Sequence, residues 1–244
     1  MQKRHDTIID PDLKILQSED AFCYSTDTLL LLDFIERTHE FPEPAKIVEL
    51  GSGTGGLCIV LAKRHPGARI SGIELQGDLV ELAKQSAKIN ELGNIEFKNA
   101  DIRNIKMEFY PETFNSVIMN PPYFKLGTGR INKNTKKAQA KHEIKCTLFD
   151  IFNSASHLLK KTGVFFMIHH YSRIFDVFSL ASQFKFALVS FQPVYISKSD
   201  IEANASHCLF SFCKSYRKEP AILAPKYIIE NNLNKNIIPE ERND

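Results

Sequence analysis

The stretch that most constrains the fold is a short apolar run, Ile47-Val48-Glu49-Leu50, which stops abruptly at Gly51-Ser52-Gly53-Thr54-Gly55-Gly56. Leu57-Cys58-Ile59-Val60-Leu61-Ala62 follows at once. The first run predicts a strand over 46–50 and the last a helix over 55–64, with glycines making the tight turn between them. A strand that turns directly into a helix opens a βα unit, and the next strand then pairs with it in parallel. Closely spaced glycines also let a ligand approach the backbone. The pattern is not GxGxxG, because Gly56 follows Gly55 directly and Thr occupies position 54. A plain structural turn would look alike, so the loop needs corroboration from elsewhere in the chain.

The alternation continues. Strands are predicted over 69–74, 95–101, 114–120 and 163–169, with helices over 78–92, 147–160 and 173–184. Leu79, Leu82, Ala83, Ser86 and Ile89 share one helical face, and Gly93 suits the C-terminal cap of that helix. Two last strands, 186–196 and 207–214, have no helix between them, so one of them should run antiparallel. The expectation is a single α/β domain over 1–244: a mostly parallel sheet of seven strands, one antiparallel, with helices on both faces. Residues 1–45 would form a segment capping the ligand site. The Asn-rich, charged stretch from Asn231 would be a loose tail. At 244 residues and 43% apolar composition the chain can build a sizeable core.

In open α/β sheets ligands bind at the carboxyl ends of strands, and three successive strand ends here carry suitable groups. The glycine loop, with Glu49 just before it and Ser52 within it, ends the first. Glu74 ends the second, where a carboxylate can accept both hydroxyls of a ribose. Asp101 ends the third, placed for the amino group of an adenine. Leu75 and Ile102, the next residues, would border the same ligand. Singly, Glu74 can be a solvated strand-end acid and Asp101 an Asx cap. In series they favour a nucleoside-bearing cofactor.

The fourth strand ends in Asn120-Pro121-Pro122-Tyr123. An amino nitrogen conjugated to a ring or carbonyl is a poor nucleophile, because its lone pair is delocalised. It becomes reactive when both N–H bonds are held by acceptors and the lone pair is aimed at an electrophile. The Asn120 side-chain oxygen and the Pro121 carbonyl can be those acceptors. Pro122 helps to fix the backbone, and Tyr123 can stack on a flat substrate. Positioning and electrostatics carry such a step without a metal. The alternative is a Pro-Pro turn with no chemistry. Joined to the glycine loop, the corner implies methyl transfer from S-adenosylmethionine to the nitrogen of an amide or a base.

On these residues the chain resembles Rossmann-like class I methyltransferases with an Asn-Pro-Pro-Tyr motif. Within them it is most similar to the bacterial tRNA(Val) adenine-N6 methyltransferases. Phe22-Cys23-Tyr24-Ser25-Thr26-Asp27-Thr28-Leu29-Leu30-Leu31 resembles that family's N-terminal aromatic-x-aromatic-Ser-x-Asp-x-x-Leu-Leu segment. Glu49 to Gly55 resembles its glycine loop, and Ala140-Lys141-His142-Glu143 its Ala-Arg-His-Glu. The resemblance covers roughly residues 15–225. It implies N6 methylation of the adenosine 3′ to the anticodon, at tRNA position 37, with Tyr24 and Asp27 beside S-adenosylmethionine. Asp27 or Ser25 can equally cap the helix starting near Thr28. The chain departs from the family at Lys141, where Arg is usual. It departs again at His207-Cys208-Leu209-Phe210, where an Arg-led strand is usual.

Between Lys125 and Lys145 stand seven basic residues, Lys125, Arg130, Lys133, Lys136, Lys137, Lys141 and Lys145, against one acid, Glu143. Beside a base pocket, such a loop with His142 can contact RNA phosphates; the alternative is a solvated connection. A protein glutamine-N5 methyltransferase remains a rival, as does a cofactor- and RNA-binding module without catalysis. The rest is expected to be plain. The start leads into no apolar signal segment and no run is long enough to span a bilayer. The five cysteines form no Cys-x-x-Cys pair. The expectation is therefore a cytoplasmic monomer with reduced thiols and no metal.

Overall fold

The computed structural model describes residues 3–6, 12–18, 26–121, 146–197, 204–215 and 219–228. The tail from Asn231 lies outside them. The chain opens with a two-stranded antiparallel hairpin, β1 (Lys3–Asp6) and β2 (Ile15–Ser18). Helix α1 (Thr26–Thr38) leads into the alternating part. There follow β3 (Lys46–Leu50), α2 (Gly56–Arg64), β4 (Arg69–Glu74), α3 (Gly77–Ile89) and β5 (Ile95–Asn99). A 3-10 turn (Ile102–Asn104) and the short α4 (Ile105–Glu108) precede β6 (Phe114–Met119). Then come α5 (Leu148–Leu158), β7 (Leu159–His170), α6 (Ile174–Gln183), β8 (Ala187–Tyr195) and β9 (His207–Cys213).

The main sheet runs β5-β4-β3-β6-β7-β9-β8, parallel throughout except for β9, which is antiparallel to both its neighbours. This is the Rossmann-like methyltransferase arrangement, with helices on both faces. Among the described residues the sheet has nine strands, not seven, because β10 (Ala221–Ile222) and β11 (Lys226–Tyr227) add to the outer edge of β8. Two residues each are too short to leave a periodic signal.

Strand residues alternate between two cores. Ile47, Ile118, Phe166 and Ile168 pack with α1, α2 and α3 on one face. Val48, Val117, Phe165 and Met167 pack with α4, α5 and α6 on the other. The second core is built on phenylalanine: Phe152 meets Phe165, Phe186 and Phe212 edge-on at 5.5 to 6.0 Å between ring centroids, a geometry the ring quadrupole favours. Helix α5 starts as a capping box, in which Thr147 and Asp150 exchange hydrogen bonds. Helix α3 ends earlier than its periodicity suggests, at Ile89, and the left-handed residue after it is Glu91 (φ 54°), not Gly93. Asn90 takes over the end of the helix by hydrogen bonding to Lys14 and Ser86, which draws the β2 segment onto α3.

Gly72 in β4 is required by packing. A Cβ there would lie 2.4 Å from the Phe97 ring and 2.8 Å from the Ser52 hydroxyl. Gly72→Ala should therefore cost about 1–3 kcal/mol in chemical denaturation. Unchanged stability would show that Phe97 does not fill the space beneath the glycine loop.

Candidate active site

Four adjacent strand ends, those of β5, β4, β3 and β6, bring the candidate residues to one edge of the sheet. The register sets the alignment: Leu50 pairs with Ile73 on one side and with Met119 on the other. The glycine loop and the Asn120-Pro121 corner therefore leave the sheet side by side.

The loop is built on backbone bonds. Gly51 and Ser52 both donate to the Ile73 carbonyl, at 2.8 and 3.0 Å. Gly51, Gly53 and Gly55 all have positive φ (68°, 55° and 81°), which other residues adopt only under strain. Gly55 is the left-handed N-cap of α2. Among the described residues an added Cβ at Gly53 would meet nothing within 4 Å, so this is the open side of the loop. Ser52 is buried with its hydroxyl turned inward toward Gly72.

Glu74 is only 6% exposed and is the brace of the site. One carboxylate oxygen accepts Gly53 N–H at 3.0 Å and the other accepts Gln76 N–H at 2.9 Å. Each oxygen has a second lone pair for a ligand hydroxyl. Asn99 supports the same turn from β5, donating to the carbonyls of Glu74 and Leu75. Asp101 adopts the capping alternative: it accepts Arg103 N–H at 2.9 Å and is ion-paired with the Arg103 guanidinium. Ile102 is buried beside it, with its carbonyl held by Ser154.

Glu49 lies beneath the loop, 5% exposed, and accepts a hydrogen bond from the Cys58 thiol in the first turns of α2. Burial pushes its carboxyl up to about 8, against the Cys58 bond, with a further push from the nearby Glu74 charge. Two acids beside a backbone loop with an open side fit a ligand that carries hydroxyls and positive charge. That is what S-adenosylmethionine presents.

At the corner, Asn120 donates its side-chain N–H to the Thr28 hydroxyl at 3.2 Å. The adjacent Asp27 carboxylate stands 3.9 Å from His207, and both side chains are mostly buried. His170 faces His207 edge-on, while the neighbouring His169 is fully buried on the opposite side of β7. Tyr24, Pro122, Tyr123, Lys125, Arg130, Lys133, Lys136, Lys137, Lys141 and His142 lie outside the described residues. Thr28, Cys58, Asn99 and the inward turn of Ser52 escaped sequence reasoning, since each acts across a distance the local pattern does not encode. Among the described residues no cluster of His, Cys, Asp and Glu has the form of a metal site. No helix among them is long and apolar enough to cross a membrane. Cys58, Cys146 and Cys208 are free thiols.

A family model described as a methyltransferase domain matches residues 43–217. A release factor glutamine methyltransferase of Aliivibrio fischeri is 36% identical over 86 residues, 35% of this chain and 29% of that protein. A tRNA1(Val) (adenine(37)-N6)-methyltransferase of Vibrio campbellii is 31% identical over 120 residues, 48% of each chain. The matched stretch thus spans half or less of these relatives. Among solved structures, a "predicted O-methyltransferase" of Agrobacterium tumefaciens aligns at TM-score 0.63 and 18% identity, covering 86% of this chain and 96% of that one. M. jannaschii TYW2 in complex with AdoMet aligns at 0.57 and 15%, covering 87% of each. These two likenesses bear on the fold.

The buried His169 makes stability pH-dependent. Burial pushes its imidazole down from 6.5 to about 4. The unfolded chain then binds a proton that the folded chain refuses. Stability is full above pH 6.5 and falls as the pH drops toward 4, by about 2–3 kcal/mol. Denaturation of the wild type and of His169→Gln at pH 7.5 and 4.5 isolates this contribution. An equal acid loss in both proteins would remove His169 as its source.

Proposed function

The chain belongs to the methyltransferase-domain family, and we propose that it methylates the exocyclic N6 of an adenosine in tRNA, the one 3′ to the anticodon of tRNA(Val). S-adenosylmethionine, when bound, supplies an activated methyl group on a sulfonium. The glycine loop and Glu74 would hold it, with Leu75, Asp101 and Ile102 along the adjoining strand ends and the buried Glu49 carboxyl below. The observation that carries the reading is the register of Leu50 with Met119. It sets the Asn120-Pro121 corner directly beside the glycine loop.

The chain's own residues do the rest. The Asn120 amide oxygen and the Pro121 carbonyl accept the two N–H bonds of the target amino group. This draws electron density onto the nitrogen and fixes the direction of its lone pair. Such preorganised acceptors need not reorient during the reaction. Tyr123 would stack on the base, and the 125–145 loop would neutralise RNA phosphates. The Vibrio campbellii relative supports adenine as the target. The Aliivibrio fischeri relative favours a second reading, a glutamine side-chain amide, which offers the same planar NH2 group.

Single-turnover methylation with labelled S-adenosylmethionine, offered unmodified tRNA or a release factor, separates these readings. N6-methyladenosine is the expected product, and Asn120→Ala should slow its formation on the order of 10²-fold or more. Methylglutamine in its place would select the second reading, and no transfer to either would contradict both. Replacing Lys133, Lys136 and Lys137 by Ala should weaken tRNA binding and flatten its salt dependence without changing cofactor affinity. An unchanged salt slope would make the loop a solvated connection.

A further inference from the structure

We infer that His170 is a further substrate-contact residue, donating a hydrogen bond to the RNA backbone beside the target adenosine; this rests on the proposed function. The ends of β5, β4 and β3 carry the glycine loop and its braces, and the end of β6 carries the corner. An RNA that reaches Asn120 therefore continues over the ends of β7 and β9. The register places His170 in that path. Met119 pairs with Met167, which sets Asn120 level with Ile168 and His170 two residues further out. Residues two apart on a strand share a face, so Asn120 goes with Ile118 and His170 with Ile168, both in the core packed by α1. The first turn of α1 runs along this side: Thr28 meets Asn120, and Asp27 stands beside His207, the residue paired with His170. One strand across and two residues outward is about 8 Å between backbone positions. That is the scale of a purine nucleotide from its amino group, across the ring, to the sugar and phosphate.

The imidazole of His170 is exposed and anchored by one edge. Its Nδ1 accepts Ser172 N–H at 3.2 Å, at the head of the 3-10 turn Tyr171–Arg173. A backbone N–H only donates, so in the neutral ring the proton sits on Nε2, whichever way the Ser172 hydroxyl turns at 2.9 Å from the same Nδ1. The His207 ring packs edge-on against it at 5.5 Å from the paired position on β9. Among the described residues no further hydrogen bond engages the His170 ring. A donor fixed at one atom of an exposed ring, beside the pocket for a base, suits a phosphate oxygen, the usual position-setting contact to a nucleic acid. A glutamine side chain carries no phosphate, so this contact favours a nucleotide over a protein amide at the same corner.

The test combines His170→Asn with unmodified tRNA in which the phosphate 5′ or 3′ to the target adenosine is replaced by an uncharged methylphosphonate. Asparagine can still cap Ser172 N–H, but its shorter side chain does not reach where Nε2 stands. The expected result is a KM for tRNA raised roughly tenfold in His170→Asn, the loss of one hydrogen bond to a charged group. The fall in kcat/KM is carried by KM, with kcat within about twofold. S-adenosylmethionine affinity, read by calorimetry, should equal that of the wild type. At one of the two positions the methylphosphonate should cost the wild type a similar factor and cost His170→Asn nothing more. His170→Ala, read in the same way, replaces the asparagine variant if the latter does not fold. An unchanged KM, a loss carried by kcat or by cofactor affinity, or side-chain and phosphate losses that multiply at both positions would overturn the inference. A wild type that methylates no tRNA would instead overturn the proposed function, so the two failures are distinct.

Discussion

The Glu74 carboxylate accepts Gly53 N–H at 3.0 Å with one oxygen and Gln76 N–H at 2.9 Å with the other, tying together the turns that follow two neighbouring strands. Charge-assisted bonds to backbone N–H are among the stronger ones, more so when the acceptor is buried. They hold the glycine loop in a run of positive φ angles that a free chain would leave at once. Gly51 and Ser52 add two bonds to the Ile73 carbonyl one residue upstream, and Asn99 closes the far side through the carbonyls of Glu74 and Leu75. The loop is thereby shaped by its own chain before any ligand arrives, so little ordering entropy remains to oppose binding.

What lies beneath the loop completes the constraint. The Phe97 ring fills the space that the missing side chains of Gly55 and Gly72 leave open. Glu49, held by the Cys58 thiol, sits in the same layer, with its carboxyl pushed up to about 8 by burial. Burial pushes the Cys58 thiol well above its ordinary range as well, so it serves here as a neutral donor and not as a nucleophile. A buried acid that holds its proton at neutral pH can release it when a cationic ligand arrives beside it, because the ligand's charge then stabilises the carboxylate.

Much of this edge was legible in the sequence, because its signals are local. A strand that meets Gly-x-Gly-x-Gly and then an apolar helix admits few folds, and the β3–α2 unit forms as the run from Ile47 to Ala62 implies. The antiparallel late strand followed from the lack of a helix between β8 and β9. Asp101 shows where local reading stops: its position suits a ligand or a cap, and in this structure it accepts Arg103 N–H at the head of the 3-10 turn and pairs with the Arg103 guanidinium, neither of which the local pattern encodes. The Thr28–Asn120 bond, the Cys58–Glu49 bond and the Asn90–Lys14 link were invisible because each joins segments that only the fold brings together. Helix α3 misled for a related reason. Glycine is the usual residue for a left-handed cap, but the hydrogen bonds of Asn90 end this helix sooner and leave that conformation to Glu91.

If Glu74 both shapes the loop and meets the ribose, a change that preserves its size but not its two acceptors must weaken cofactor binding. Glutamine at 74 would set an N–H donor against one of the two backbone donors. Calorimetric titration of S-adenosylmethionine into the wild type and Glu74→Gln is the direct measurement. The account predicts an affinity lower by about 10- to 100-fold in the variant, the cost of a buried donor left without an acceptor and a lost ligand contact. Equal affinities in the two proteins would contradict it.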